Sequence, residues 1–344
     1  MLLQLSTNQR LYLCIMLKLM NVAAVVLVFL MLISQCKMEE EKSTGFPVPH
    51  HGFAELPVPD DNPMRPEAIA LGRKLFFDPL LSRDSSISCG SCHFPEKAFT
   101  DGRSVSIGVK GRKGTRNAPT LYNVAYHPYF FLEGGNPVLE TQMLGPLETP
   151  EEMDFNMVEL TRRLEKHPEY PSLFAEAFPD RTVEPYTISR AIAAYERSLL
   201  SGNSDFDQFY FFGDSSVLSK EQLRGWQIFK TSCTHCHSSF TLSHFKFENI
   251  GLYEHYEDYG RMRVTRDTAD WGKVKTPTLR NIALTAPYMH DGSMHSLREV
   301  IEHYNQGGKD HPNKSPLIQP LNLSDTDKDA LEAFLHALTD VSIN

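Results

Sequence analysis

The chain has 344 residues, of which 41% are hydrophobic and 22% charged, and a formal net charge of −9. That length suits two globular domains, each able to bury its own core. The acidic balance argues against a nucleic-acid partner and mildly favours a basic protein partner.

The first 36 residues differ from the rest. Val22 to Ile33 is an unbroken apolar run of 12 residues preceded by Arg10 and Lys18, too short to span a bilayer comfortably and of the length of a signal-peptide core. It ends in "LISQC", followed by "KMEEE", a pattern that resembles a bacterial lipoprotein signal with Cys36 as the lipidated mature N-terminus. Gln35 departs from the small residue usual there, so plain cleavage and an uncleaved anchor stay open. Export would place the chain in the periplasm, attached to a membrane through Cys36. Residues 37–65 are rich in Pro, Glu and His without a sustained period and read as an extended linker or a surface-draped segment.

From Pro66 the pattern is helical. "EAIALGRKLFF" is apolar at helical spacing, and "VEPYTISRAIAAYERSLLSG" reads as an amphipathic helix closed by Gly202. "SKEQLRGWQIF" opens with a Ser219/Gln222 capping box. "SDTDKDALEAFLHAL" is capped by Ser324 and aligns Leu331, Phe334, Leu335 and Leu338 on one face. No run of alternating strands occurs, which predicts an all-α (mainly α) fold.

The chain also repeats itself. "APTLYNVAYHPYFFLEGGNPVLE" (118–140) aligns without a gap on "TPTLRNIALTAPYMHDGSMHSLR" (276–298), pairing Pro119 with Pro277, Asn123 with Asn281 and Gly134 with Gly292. "GRKLFF" followed by "CGSCH" matches "GWQIFKTSCTHCH" in the same order. Two similar modules follow, assigned to residues 66–205 and 206–344.

Of six cysteines, Cys14 and Cys36 belong to the leader; Cys89, Cys92, Cys233 and Cys236 form two C-x-x-C-H motifs. This spacing is the signature of covalent c-type haem: two thiols form thioethers and the adjacent histidine, His93 or His237, becomes the proximal iron ligand. The competing readings are a zinc site and a redox-active dithiol. Neither requires a histidine directly after the second cysteine in both copies.

The sixth iron position separates an electron carrier from a substrate-binding haem. In "HDGSMHS", Met294 falls on Asn136 of the first module. A thioether is a soft iron ligand that raises haem potential, and an amide is not a ligand of that kind. The second haem is therefore expected closed and the first open, with Met262, Met289, His290 and His295 as rival ligands to Met294.

"LGRKLFFDPLLSRDSSISCGSCHFPEKAFTDG", "GTRNAPTL", "LETQMLGPLETPEEM" and "KTPTLRNIALTAPYMHDG", with the paired motifs, resemble the bacterial di-haem cytochrome c peroxidases and their relatives, the methylamine-utilisation di-haem oxidases. The likeness covers about residues 55 to 340. It implies two cytochrome c-like domains with Ca²⁺ between them, an N-terminal peroxidatic haem and a C-terminal haem at which electrons enter. The implied reaction turns H₂O₂ into water with electrons from a small periplasmic donor, such as a monohaem cytochrome c or a copper protein. The family is often homodimeric.

The likeness places the family's distal glutamate on Glu152 and its distal glutamine on Gln142. A carboxylate there can move a proton between the peroxide oxygens; from the residues alone Glu151 competes with Glu152. The calcium site maps onto the Asn117 side chain and the carbonyls of Lys275 and Pro277, a set suited to a hard cation. Two departures stand out. Val109 occupies the position of a distal histidine that many members carry, so the first iron is expected to need no reductive activation. Leu132 replaces a tryptophan between the haems; Phe130, Phe131 and Trp226 are candidates for a substitute electron path, or simply core. Against the peroxidase stand an oxidase of the methylamine-utilisation type, whose electron-entry haem carries Tyr in place of Met, and a non-catalytic di-haem electron carrier.

Overall fold

The computed structural model describes residues 50–340 and 342. The leader, with Cys14 and Cys36, lies outside the described residues. Eight helices of two turns or more occur among the described residues: α1 Pro66–Phe77, α2 Met157–Glu165, α3 Tyr170–Ala177, α4 Pro185–Arg197, α5 Asp205–Phe212, α6 Lys220–Ser232, α7 Leu297–Gln306 and α8 Asp325–His336. The fold is mainly helical, with one small sheet.

Each module is built on one close helix crossing. Helix α1 starts on Pro66, whose missing N–H costs nothing in a first turn, and buries Ala68, Leu71, Gly72, Leu75 and Phe76. It packs on α4, where a Cβ on Gly72 would lie 1.8 Å from the carbonyl oxygen of Ala191. Helix α6 crosses α8 the same way, and a Cβ on Gly225 would lie 1.9 Å from the Ala330 carbonyl oxygen. Only glycine lets the backbones approach this far. Two separate apolar cores grow around these crossings, one including Leu75, Leu147, Leu160 and Phe174, the other Phe229, Leu331 and Phe334.

The repeat seen in the sequence is a repeat in space. Asn123 and Asn281 both adopt the left-handed conformation, at φ 60° and φ 59°, and both are buried. Asn tolerates that region better than most residues. The N–H of Asn123 donates to Leu199 O (2.7 Å) and that of Asn281 to Leu338 O (3.0 Å). Each loop is thereby pinned to the chain leaving its module's last long helix. Beyond the pin, Phe130 pairs with Asn136 in one module and Tyr288 with Met294 in the other.

Three features depart from expectation. Helix α4 ends at Arg197 with Ser198 as its C-cap; Gly202 does not close it but donates its N–H to Asp340 (2.9 Å). The segment before α1 is more than a linker: Asn62 and Met64 are buried, Asn62 donates to Glu140 (2.9 Å), and Phe53 packs its ring on Phe240 and Tyr126. Finally, β1 Phe247–Glu248 pairs antiparallel with β2 Val274–Lys275; two-residue strands leave no alternation for a sequence to display.

Candidate functional site: two haem-attachment turns and the residues around them

Both C-x-x-C-H segments fold as the same tight turn. The N–H groups of Cys92 and His93 donate to Cys89 O, both at 3.1 Å, and those of Cys236 and His237 to Cys233 O at 3.1 and 2.9 Å. Each motif thus brings its two cysteines and its histidine together within one turn of backbone. His93 Nδ1 donates to Phe99 O (2.7 Å) and His237 Nδ1 to Leu242 O (3.1 Å). Carbonyls only accept, so Nδ1 carries the hydrogen and Nε2 keeps its lone pair for a metal. Burial lowers both rings, His237 to about 4, and so keeps them neutral.

These residues fit a haem. Burial pushes all four thiols up, away from the thiolate that zinc or dithiol chemistry requires. Cys89 packs against the first module's core and Cys233 against the second's, so the four cysteines do not converge on one ion. Beside the first motif a cleft of about 840 Å³ is lined by Phe77, Ile87, Gly90, Phe94, Ile107 and Gly108.

Around the first module, Val109 N donates to Glu152 O (2.9 Å), which docks the loop carrying Val109 onto the backbone of Glu152. Val109 itself is fully buried. The Glu152 side chain is open to solvent, yet burial, followed by the charge of Glu151, raises its carboxyl. Its charge reaches the sulfurs of Cys89 and Cys92. Gln142 ends the one-turn helix Leu139–Gln142, which is anchored by the buried pair of Glu140 and Arg197 at 2.5 Å. Asn136 Oδ1 accepts from Val138 N (2.9 Å) and Thr141 Oγ1 (3.1 Å), so the residue at the repeat position of Met294 is spent on holding that turn.

In the second module Met294 is half-buried and packs against the same core as Cys233. His295 is exposed, and its N–H goes to Glu299. His290 lies against the rings of Tyr253 and Tyr256, and its carbonyl accepts from Asn117 N (2.8 Å). Met262 and Met289 are also half-buried, Met262 on the one-turn helix Met262–Thr265 and Met289 within the Met294 hairpin, where its carbonyl accepts from Gly292 N (3.2 Å). Asn117 Nδ2 donates to Arg103 O (2.7 Å), while the Pro277 carbonyl lies on the ring of His237. Leu132 O accepts from Lys275 N (2.7 Å) at the junction of the modules. Trp226 is core, among Phe206, Phe229 and Phe334; Phe130 is buried, and Phe131 stands over Gly145.

Three further groups are evident only in three dimensions. Tyr304 of α7 is deep enough that burial raises its hydroxyl, with Cys233 and Cys236 beside it. Glu196 of α4 is buried near Cys89, and burial pushes its carboxyl up to about 8. The Lys275 side chain, considered above only for its carbonyl, is buried with its ammonium on Tyr129 O (2.6 Å), and burial lowers it to about 8. No spacing in the sequence singles any of them out.

Residues 66–216 match the family model of the di-haem cytochrome c peroxidases, and residues 222–339 that of cytochrome c. The chain is 36% identical over 288 residues to a methylamine utilization protein MauG of Methylorubrum extorquens, covering 82% of this chain and 81% of that one. It is also 36% identical over 318 residues to a cytochrome-c peroxidase, IdrP1, of a Pseudomonas species, covering 83% and 84%. A crystal structure of a MauG-like protein associated with microbial copper homeostasis superposes with a TM-score of 0.80 at 38% identity, covering 85% of this chain and 95% of that one. Two haem-attachment turns in two duplicated helical modules, and these relatives over four fifths of the chain, make it a member of the di-haem cytochrome c peroxidase family, carrying two c-type haems.

Proposed function

We propose that the protein reduces H₂O₂ to water at its first haem with electrons that enter at its second, the modules dividing at residues 205 and 206. The observation that carries this reading is the asymmetry of the two repeat hairpins. Met294 shares a core with Cys233, whereas Asn136 is tied up in its own turn. A methionine as sixth ligand suits electron transfer, and a vacant sixth position suits substrate. Met294 in place of a tyrosine favours the peroxidase over an oxidase of the methylamine-utilisation type.

The haem held by Cys89, Cys92 and His93 supplies the iron that takes peroxide and passes electrons to it. The chain supplies proton handling. Reducing H₂O₂ to two waters takes two electrons and two protons. Burial raises the Glu152 carboxyl, which makes its carboxylate a stronger base than an ordinary glutamate's; it can take a proton from the inner peroxide oxygen and, as the acid so formed, return it to the outer. The Gln142 amide, on its anchored turn, orients the peroxide by hydrogen bonding. Val109 offers no ligand, so the first site is open without prior reduction. The remaining assignments follow the family: Ca²⁺ on Asn117, Lys275 and Pro277; a small cytochrome c or copper protein as donor; a homodimer; and a periplasmic location with Cys36 as lipid anchor.

The test is steady-state peroxide reduction with a reduced c-type cytochrome or an artificial donor. Glu152→Gln should lower kcat about 10²–10⁴-fold, the usual worth of a positioned acid–base group, with haem content unchanged. Full activity in the variant removes Glu152 from the mechanism. An inactive wild type removes the peroxidase.

A further inference from the structure

The loops that follow the two haem-attachment turns can be registered on each other by hydrogen bonds alone. Thr120 Oγ1 donates to Ala98 O and Thr278 Oγ1 to Thr241 O, both at 2.6 Å. The next residue in each loop, Phe99 or Leu242, accepts from the proximal histidine, and both have positive φ, 59° and 51°. The backbones of Pro119 and Pro277 also touch the same two rings. Two residues beyond the acceptor, the register places Asp101 in the first module opposite His244 in the second.

Asp101 is 2% exposed. One carboxylate oxygen accepts from Arg103 N (2.9 Å), and the other is buried without a hydrogen-bond partner among the described residues. Lys97 Nζ bonds the Asp101 backbone carbonyl (3.0 Å), and Asp101 belongs to no ion pair among the described residues. An orphaned buried carboxylate oxygen is costly and calls for a reason. The reason is near: the Asp101 charge acts on His93 and on Cys92. At the matching place His244 Nδ1 accepts from Lys246 N (3.1 Å), and burial favours its neutral form; Glu248 lies 3.9 Å from its ring and its charge reaches Cys236, but the charge that acts on His237 is that of His244 and not of a carboxylate.

We propose that Asp101 is a positioning residue that lowers the reduction potential of the first haem through its proximal histidine, and that His244, standing at the matching place, leaves the second proximal histidine without such an anion. Oxidising an iron adds one positive charge, and a fixed carboxylate in a poorly screened interior favours the oxidised form. The device would hold the two potentials apart independently of the sixth ligands. It rests on the two haems and not on which reaction they serve.

The experiment is a spectroelectrochemical titration of the full-length protein with both haems loaded. In Asp101→Asn the first haem's reduction equilibrium should shift at least tenfold toward the reduced form, 59 mV for one electron, with the second midpoint unmoved. Asp101→Glu should restore it. His244→Asp should shift only the second haem, in the opposite direction, and this arm stands even if Asp101→Asn fails to load haem. An unmoved first midpoint in Asp101→Asn, an equal shift of both haems, or an unmoved second midpoint in His244→Asp overturns the proposal.

Discussion

At the scale of the residue, the chemistry divides into what contiguity reveals and what only burial reveals. Cys89, Cys92 and His93, and their counterparts Cys233, Cys236 and His237, were legible because covalent haem attachment needs all three groups within one turn. Met294 stands out in the sequence because the chain contains its own control, the repeat position Asn136. Tyr304, Glu196 and Asp101 were not legible, because their role depends on which atoms face a cavity. Met294 gives a direct test. Thioether ligation raises haem potential, so Met294→His should lower the second haem's midpoint and leave the first in place. A shift of the first haem in a potentiometric titration would mean that Met294 belongs to the other centre.

At the scale of the element, the caps and apolar faces were readable and the close crossings were not. Ser219 and Ser324 cap α6 and α8 as their sequences indicate, since a cap is a local hydrogen bond. That Gly72 and Gly225 are crossing points depends on the opposite helix. Gly225→Ala drives a methyl into the Ala330 carbonyl and should cost about 3 kcal/mol or more in urea unfolding of the loaded protein, the upper range for overpacking; a loss under 1 kcal/mol would show that the helices slide apart cheaply. Helix α4 carries a second prediction, through Glu196. Its folded carboxyl is raised from 4.5 to about 8, so between those values the folded chain holds a proton that the unfolded chain has released. Stability is then fully present below about pH 4.5 and falls as pH rises through 8. Glu196→Gln should match wild type near pH 4.5 and exceed it at pH 8.5 by on the order of 4 kcal/mol. Parallel Tm curves across that window would refute the assignment.

At the scale of the whole molecule, the duplication was legible and the joint between the copies was not, because the joint pairs residues far apart in the chain that share no motif. Its centre is Arg116. The guanidinium donates from Nε and Nη2 to both carboxylate oxygens of Asp258, at 2.7 and 3.0 Å, and from Nη1 to Glu133. All three side chains are at least four-fifths buried. Burial alone would raise Asp258, yet Arg116 holds it down to about 2. One cation thus pairs with an acid from the first repeat loop and another from the second module. Removing the cation alone leaves two buried carboxylates facing each other, so Arg116→Leu should cost about 3–5 kcal/mol, the usual result of orphaning a buried charge. Acid should relieve that cost as the orphaned carboxylates take up protons, so the deficit should shrink from pH 7 toward pH 4. Making the whole site neutral, with Glu133→Gln and Asp258→Asn added to Arg116→Leu, should recover most of the loss, because the penalty lies in the uncompensated charge and not in the missing contact. Unfolding of the three-site variant no easier to reverse by acid than wild type, but as weak as Arg116→Leu, would instead make the joint one of shape.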